Sequence, residues 1–179
     1  MEPDWTVDLK KNACFRLDEN LRMVQIALTK LRDYEPAVFE SHFYKQPASS
    51  ANSIGNMLLH LCGNMTQYIL SSLCETPDNR DRDGEFDTKR TTASKEVIEQ
   101  FEKTIEKVKK GIRTATAQQL LQMRSVQGFE MSGLGCVLHA VEHCSYHTGQ
   151  IALWVKILTH QDLGFYDAID LNQKNTPTS

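Results

Sequence analysis

Residues 54–70 read IGNMLLHLCGNMTQYIL, and the periodicity of this stretch decides between helix and strand for the chain. Apolar residues fall at Ile54, Leu58, Leu61, Met65 and Tyr68 or Ile69. Steps of three and four place them on one stripe of a 3.6-residue helix, whereas a strand would alternate at every second residue. A polar stripe runs alongside: Ser53, Asn56, His60, Asn64 and Gln67. Such a stripe either meets water or lines a cavity inside a bundle. Just upstream, SSANS (49–53) offers side-chain oxygens for the orphan N–H groups of a first turn. The helix is therefore expected to start there and to run to about Leu73.

The same periodicity recurs along the chain. Leu17, Leu21, Val24, Leu28 and Leu31 form a stripe on a first helix. Pro36 and Pro47 bound the connection that follows, which carries Phe39, Phe43 and Tyr44. Residues 74–93, CETPDNRDRDGEFDTKRTTA, are too polar to bury much surface and are expected to connect helices. Val97, Phe101, Ile105 and Val108 mark a third helix, with Ser94 as its expected cap and Gly111 as its expected end. Thr116 to Gln119 offers a capping box on a short helix. Residues 123–133 look extended or irregular, without a convincing strand pattern. A last helix is expected from Gly133–Gly135 to about Thr159. Together these predict an all-α four-helix bundle with long crossover connections, one domain over 1–165, and a frayed tail over 166–179. No internal repeat is visible.

Composition narrows the function. The chain has 179 residues, 40% hydrophobic and 24% charged, an ordinary balance for one globular domain. Its net charge of −3 gives no electrostatic case for nucleic acid or an anionic membrane as main partner. No apolar run reaches the length of a membrane-spanning helix, about 18 residues. The start, MEPDWTVDLKKN, lacks the basic and apolar regions of a secretory signal, so a cytoplasmic location is expected. The five cysteines, Cys14, Cys62, Cys74, Cys136 and Cys144, are odd in number and form no CxxC. That fits reduced thiols better than a disulfide framework.

Half of the six histidines lie in HAVEHCSYHTGQIALWV (139–155). His139, His143 and His147 are four apart, and i,i+4 imidazoles are separated by about 6 Å of rise and about 40° of turn. Two such rings can converge on one ion with bonds of about 2.0–2.1 Å to zinc. His139 and His147 lie about 12 Å apart along the axis and cannot share an ion on a straight helix. At most one adjacent pair supplies ligands, and spacing does not choose between His139/His143 and His143/His147. A third ligand must come from another helix. His60, in the polar stripe of the second, would complete a three-histidine set with open coordination positions. Zinc is the first expectation for the ion and nickel the second, since imidazole suits both.

The combination of NMLLHLCGNMTQYI (56–69), PDNRDRDGEF (77–86), VQGFEMS (126–132) and HAVEHCSYHTGQIALWVKIL (139–158) resembles the DinB/YfiT-like superfamily of metal-dependent bundle proteins. The resemblance implies a four-helix bundle, often a homodimer, with one metal-binding histidine on the second helix and an HxxxH pair just ahead of Gly-Gln. Matched onto this chain, the ligands are His60, His143 and His147. His139, Asn64 and Gln150 then stand beside them, orienting ligands or lining the cavity. Arg80 and Arg82 are candidates to hold an anion, although the interleaved Asp78, Asp81 and Asp83 offer them ion-pair partners. Many relatives carry histidine and arginine where this chain has Tyr146 and Thr148, so no anion-gripping role passes to those positions. The resemblance also implies an enzyme acting on a small molecule, of the thiol S-transferase type, with a low-molecular-weight thiol as cosubstrate. The alternative is a metal-binding protein without catalysis. Glu142, about 100° around the helix from His143, is not expected to complete the site.

Overall fold

The computed structural model describes residues 4–87 and 92–175. Helix α1 spans Trp5–Tyr34, its first turn capped by the Asp4 carboxylate, which accepts from the Thr6 N–H at 3.0 Å. Leu17, Val24, Leu28 and Leu31 of its stripe are buried, and Leu21 packs against them half-buried. A 3-10 turn at Pro36–Val38 leads into α2, Phe39–Tyr44, which drives Phe39 and Phe43 into the core. Helix α3, Ile54–Met65, starts where expected, with the Ser53 hydroxyl accepting from the Asn56 N–H. It runs on as a π-helix over Thr66–Leu73, closed by the Cys74 N–H donating to the Ile69 carbonyl at 2.9 Å. A one-turn helix, α4 (Arg82–Glu85), interrupts the charged connection. Then come α5 (Ser94–Thr114), α6 (Ala117–Leu121), a hairpin of β1 (Met123–Val126) and β2 (Phe129–Ser132), and α7 (Gly133–Thr159).

The four long helices α1, α3, α5 and α7 form a mostly α bundle. Helix α1 lies along α7 and α5, and α3 lies along the same two, so α1 and α3 occupy opposite corners. The connections after α1 and after α5 therefore cross the ends of the bundle, and α2 and the hairpin lie within them. This placement sets α3 beside α7, which the site requires.

Two local expectations are corrected. Gly111 does not end α5, which continues to Thr114. A Cβ on Gly111 would meet the Cys74 sulfur at 2.7 Å, so that glycine serves close packing rather than a helix stop. Ser94 is not the cap of α5. Ala93 holds that position, and the Ser94 hydroxyl donates instead to the Glu40 carboxylate. Residues 123–132, expected to be extended or irregular, are extended and pair as an antiparallel hairpin in the register Val126↔Phe129. Its two turn residues, Gln127 (φ 52°) and Gly128 (φ 81°), both have positive φ. That is the signature of a two-residue turn usually announced by Asn-Gly or Asp-Gly, and glutamine in the first position hides it.

The capping box at Thr116 is present, with reciprocal bonds between Thr116 and Gln119 of 2.8 and 3.1 Å. Beyond α7, residues 166–175 contain turns and bends but no helix or strand, and 176–179 lie outside the described residues. Among the described residues no helix is long and apolar enough to cross a membrane.

Candidate metal centre

His60 projects from α3, and His143 and His147 project from α7 one turn apart. His60 and His147 are 8% and 7% exposed, deep enough that each polar atom needs a partner. One ring nitrogen from each of the three lies within 4.8 Å of the others. The Nε2 atoms of His60 and His143 face each other at 2.8 Å, a hydrogen bond that His143 Nε2–H donates once the His60 proton sits on Nδ1.

The partners of the opposite ring nitrogens fix the tautomers. His60 Nδ1 lies 2.9 Å from Glu85 Oε2, and His147 Nδ1 lies 2.7 Å from Gln150 Oε1. A carboxylate or amide oxygen only accepts, so Nδ1 carries the proton in both rings and Nε2 presents its lone pair to the cluster. Ligating histidines are held in this manner by an acceptor behind the ring. His143 is placed by its neighbours, edge-on to His147 (centroids 4.6 Å, 85°) and stacked on His139 (5.3 Å, 14°).

Glu85 reaches His60 because of two local features. Asp81 caps the single turn of α4, accepting from the Gly84 N–H at 3.1 Å, and Asn56 Nδ2 donates to the Glu85 carbonyl at 2.9 Å. Gly63, three residues beyond His60 and on the same face, leaves room for the carboxylate. A Cβ there would stand 1.8 Å from Glu85 Oε1. Arg80 grips the same carboxylate in a fork, Nε to Oε1 at 2.7 Å and Nη2 to Oε2 at 2.8 Å, while Nη1 donates to Gln67 Oε1 at 2.8 Å. Arg80 Nη2 also lies 3.2 Å from His60 Nδ1, but both atoms are donors once Nδ1 bonds Glu85, so that contact is not a hydrogen bond.

Of the two arginines expected to hold an anion, Arg80 is held in an ion pair and Arg82 lies at the surface. Arg80 pairs with Glu85 rather than with the aspartates around it. Arg82 lies exposed with its guanidinium 5.3 Å from the centre of the Phe86 ring, and that ring packs 5.0 Å from His60. Asp78 accepts from Gln67, and Asp81 is the cap of α4.

Burial works against protonation of His143 and His147. Burial pushes the His143 imidazole down to about 3, helped by the neighbouring His147, His60 and His139 rings and by Arg80. Burial likewise lowers His147 to about 4, with His60 adding to it and the Gln150 hydrogen bond opposing. His139 is lowered mainly by burial. Burial alone would raise the Glu85 carboxyl, but bonds from Arg80 and His60 outweigh it and hold that group below the ordinary carboxylate range. The Nε2 lone pairs of His60 and His147, backed by a carboxylate and an amide oxygen, are the donor chemistry a divalent cation needs.

His139 stands outside the triangle. Its Nε2 meets Asn64 Nδ2 at 3.1 Å, and its ring stacks on Tyr68 at 4.0 Å, in the π-helical part of the second long helix. Gln150 is on His147, and Asn64 is on His139. Glu85 and Gly63 were missed at the sequence level. Their signals were a lone glutamate in DGEF and a glycine one turn past His60, neither of which names a partner. Next to the cluster, His147 and Gln150 stand in the wall of a cavity of about 380 Å³, with Met57 and Trp154.

The sequence profile of a family described as "Protein of unknown function (DUF1572)" matches residues 18–168. Among solved structures, the crystal structure of a DinB-like protein, YjoA of Bacillus subtilis, matches with a TM-score of 0.57. The two share 14% identity over 82% of this chain and 94% of that one, a likeness of fold. No curated protein matches.

Proposed function

Because this chain belongs to the DUF1572 family and has the DinB-like fold, we propose that His60, His143 and His147 hold one divalent metal ion, zinc first and nickel second. The observation that carries the reading is the pair of Nδ1–H bonds, to Glu85 and to Gln150, which turn two Nε2 lone pairs into the same space. Among the described residues no carboxylate or thiol joins the three histidines as a further ligand group. Three protein ligands with a remaining position for a small molecule are the pattern of catalytic rather than structural zinc.

The metal would supply Lewis acidity, lowering the pKa of a bound water or thiol. The chain's own contribution is to hold the rings, disfavour the protonation of His143 and His147, and exclude bulk water from His60 and His147. The reaction class we propose is thiol transfer. A thiol sulfur bonds to an electrophilic carbon, the leaving group departs with its electron pair, and the thiol proton passes to solvent. We also propose a homodimer, to be measured as twice the chain's 20.4 kDa in sedimentation.

Elemental analysis of untagged protein tests the metal reading. About one divalent ion per chain is expected, and a clean zero for every transition metal overturns it. Metal-loaded protein given a thiol and monochlorobimane tests the reaction class. No rate above background for any biological thiol rejects thiol transfer and leaves the metal site as a non-catalytic one.

A further inference from the structure

The cavity beside His147 is charge-free. It is formed by the segment 47–52, by Met57 of α3, and by α7 from Tyr146 to Ile157. Its eleven lining residues include no Lys, Arg, Asp or Glu. Leu153, Ile157 and Trp154 form one long apolar wall on successive turns of α7. The polar end of Trp154 is already satisfied, because its Nε1–H donates to the Lys45 carbonyl at 3.2 Å, so the indole offers its ring to the cavity. At the other end stand Gln150 and His147. The Gln150 oxygen accepts from His147 Nδ1. Its amide N–H groups have no acceptor assigned to them among the described residues and can donate to a guest.

From this arrangement we propose that the cavity is the substrate pocket of the histidine centre, and that it takes a neutral, mainly apolar small molecule of aromatic or branched-aliphatic type. One polar group of the guest lies at the Gln150–His147 end, where it can accept from the Gln150 amide. The inference rests on the metal reading for its catalytic meaning but not for the binding itself. About 380 Å³ falls within the range of small-molecule sites, roughly 300–1,000 Å³. A guest carrying a full charge would lose hydration with no counter-charge in the lining, which disfavours it strongly. The free-standing anionic peptide thiols carry several charges and do not match these walls. The pocket therefore accommodates the partner that is attacked rather than a charged thiol.

Equilibrium dialysis with metal-free full-length protein separates this from the metal reading. 1-Naphthol should bind at least about tenfold more tightly than 1-naphthoate, which has the same ring system and a charge. Leu153→Lys places a cation on the exposed wall away from the histidines. It should weaken 1-naphthol at least about tenfold while the metal-loaded protein keeps its ion. Circular dichroism checks that the variant is folded, and Ile157→Lys serves in its place if it is not. Equal binding of naphthol and naphthoate, or naphthol binding that neither lysine variant weakens, overturns the assignment. So does a dimer that excludes naphthol and is dissociated by Leu153→Lys, which would make the face a contact between copies. A failed metal analysis with intact naphthol selectivity would sink the metal centre and leave the pocket standing.

Discussion

Replacing Gly63 by alanine tests how the centre is built, without touching any ligand. The added Cβ would lie 1.8 Å from Glu85 Oε1, 2.8 Å from Glu85 Cδ and 2.9 Å from Arg80 Nε. Ordinary carbon–oxygen contact begins above 3 Å, so the carboxylate must retreat by more than about 1 Å. The His60–Glu85 bond of 2.9 Å then passes beyond hydrogen-bonding range. Glu85 and Arg80 are both buried at their side chains, with 8% and 3% exposure, and cannot relax into water without opening the loop over 77–86. Losing the acceptor behind a ligating histidine costs about 10–100-fold in metal affinity. Leaving the His60 Nδ1–H unsatisfied costs about 1–3 kcal/mol, against which alanine's helix propensity returns about 1 kcal/mol. Gly149→Ala is the control, because a Cβ there meets nothing within 4 Å. It should leave metal affinity unchanged and stabilise α7 by up to about 1 kcal/mol. The assays are chelator competition for the metal and thermal melting of the metal-free protein. Gly63→Ala binding metal as tightly as the natural protein would refute the proposed role of Glu85.

His143→Ala should abolish tight metal binding, while His139→Ala should retain most of it; equal losses in chelator competition would overturn the ligand assignment. Glu85→Gln leaves an acceptor for His60 but removes the anion from the buried Arg80 guanidinium. Breaking a buried pair on one side costs about 3–5 kcal/mol, to be read by denaturant unfolding, and a shift under 1 kcal/mol would show that Arg80 finds water. The metal-free protein should lose stability on acidification. His143 and His147 titrate at about 3 and about 4 when folded, below their ordinary value of 6.5, so between these values the unfolded chain binds more protons. Their contribution is full above 6.5 and is lost as pH falls through the folded values. A melting temperature unchanged from pH 7.5 to 5 would contradict buried neutral rings.

The bundle was legible in the chain because its helices carry their own periodicity. Leu17 to Leu31 and Ile54 to Ile69 show core stripes that need no partner to be recognised, and Ser53 and Thr116 cap with local atoms. Gly111 misled for a physical reason. A glycine that ends a helix and one that admits a neighbouring sulfur look alike until Cys74 is placed against it. The hairpin turn at Gln127–Gly128 was missed because glutamine rarely takes positive φ.

The sequence by itself determined the helices, the limit of two ligands from His139, His143 and His147, and His60 as the cross-bundle candidate. Helix rise is a property of the backbone and holds in any fold. Only the tertiary structure showed that α3 stands beside α7, that the rings of His60, His143 and His147, the set the family resemblance picks, lie together, and that Glu85 and Arg80 support the His60 ring from behind. Those contacts join residues up to 87 positions apart, from His60 to His147. No local pattern encodes such proximity, because it comes from the packing of whole helix faces and from the space that one glycine leaves empty.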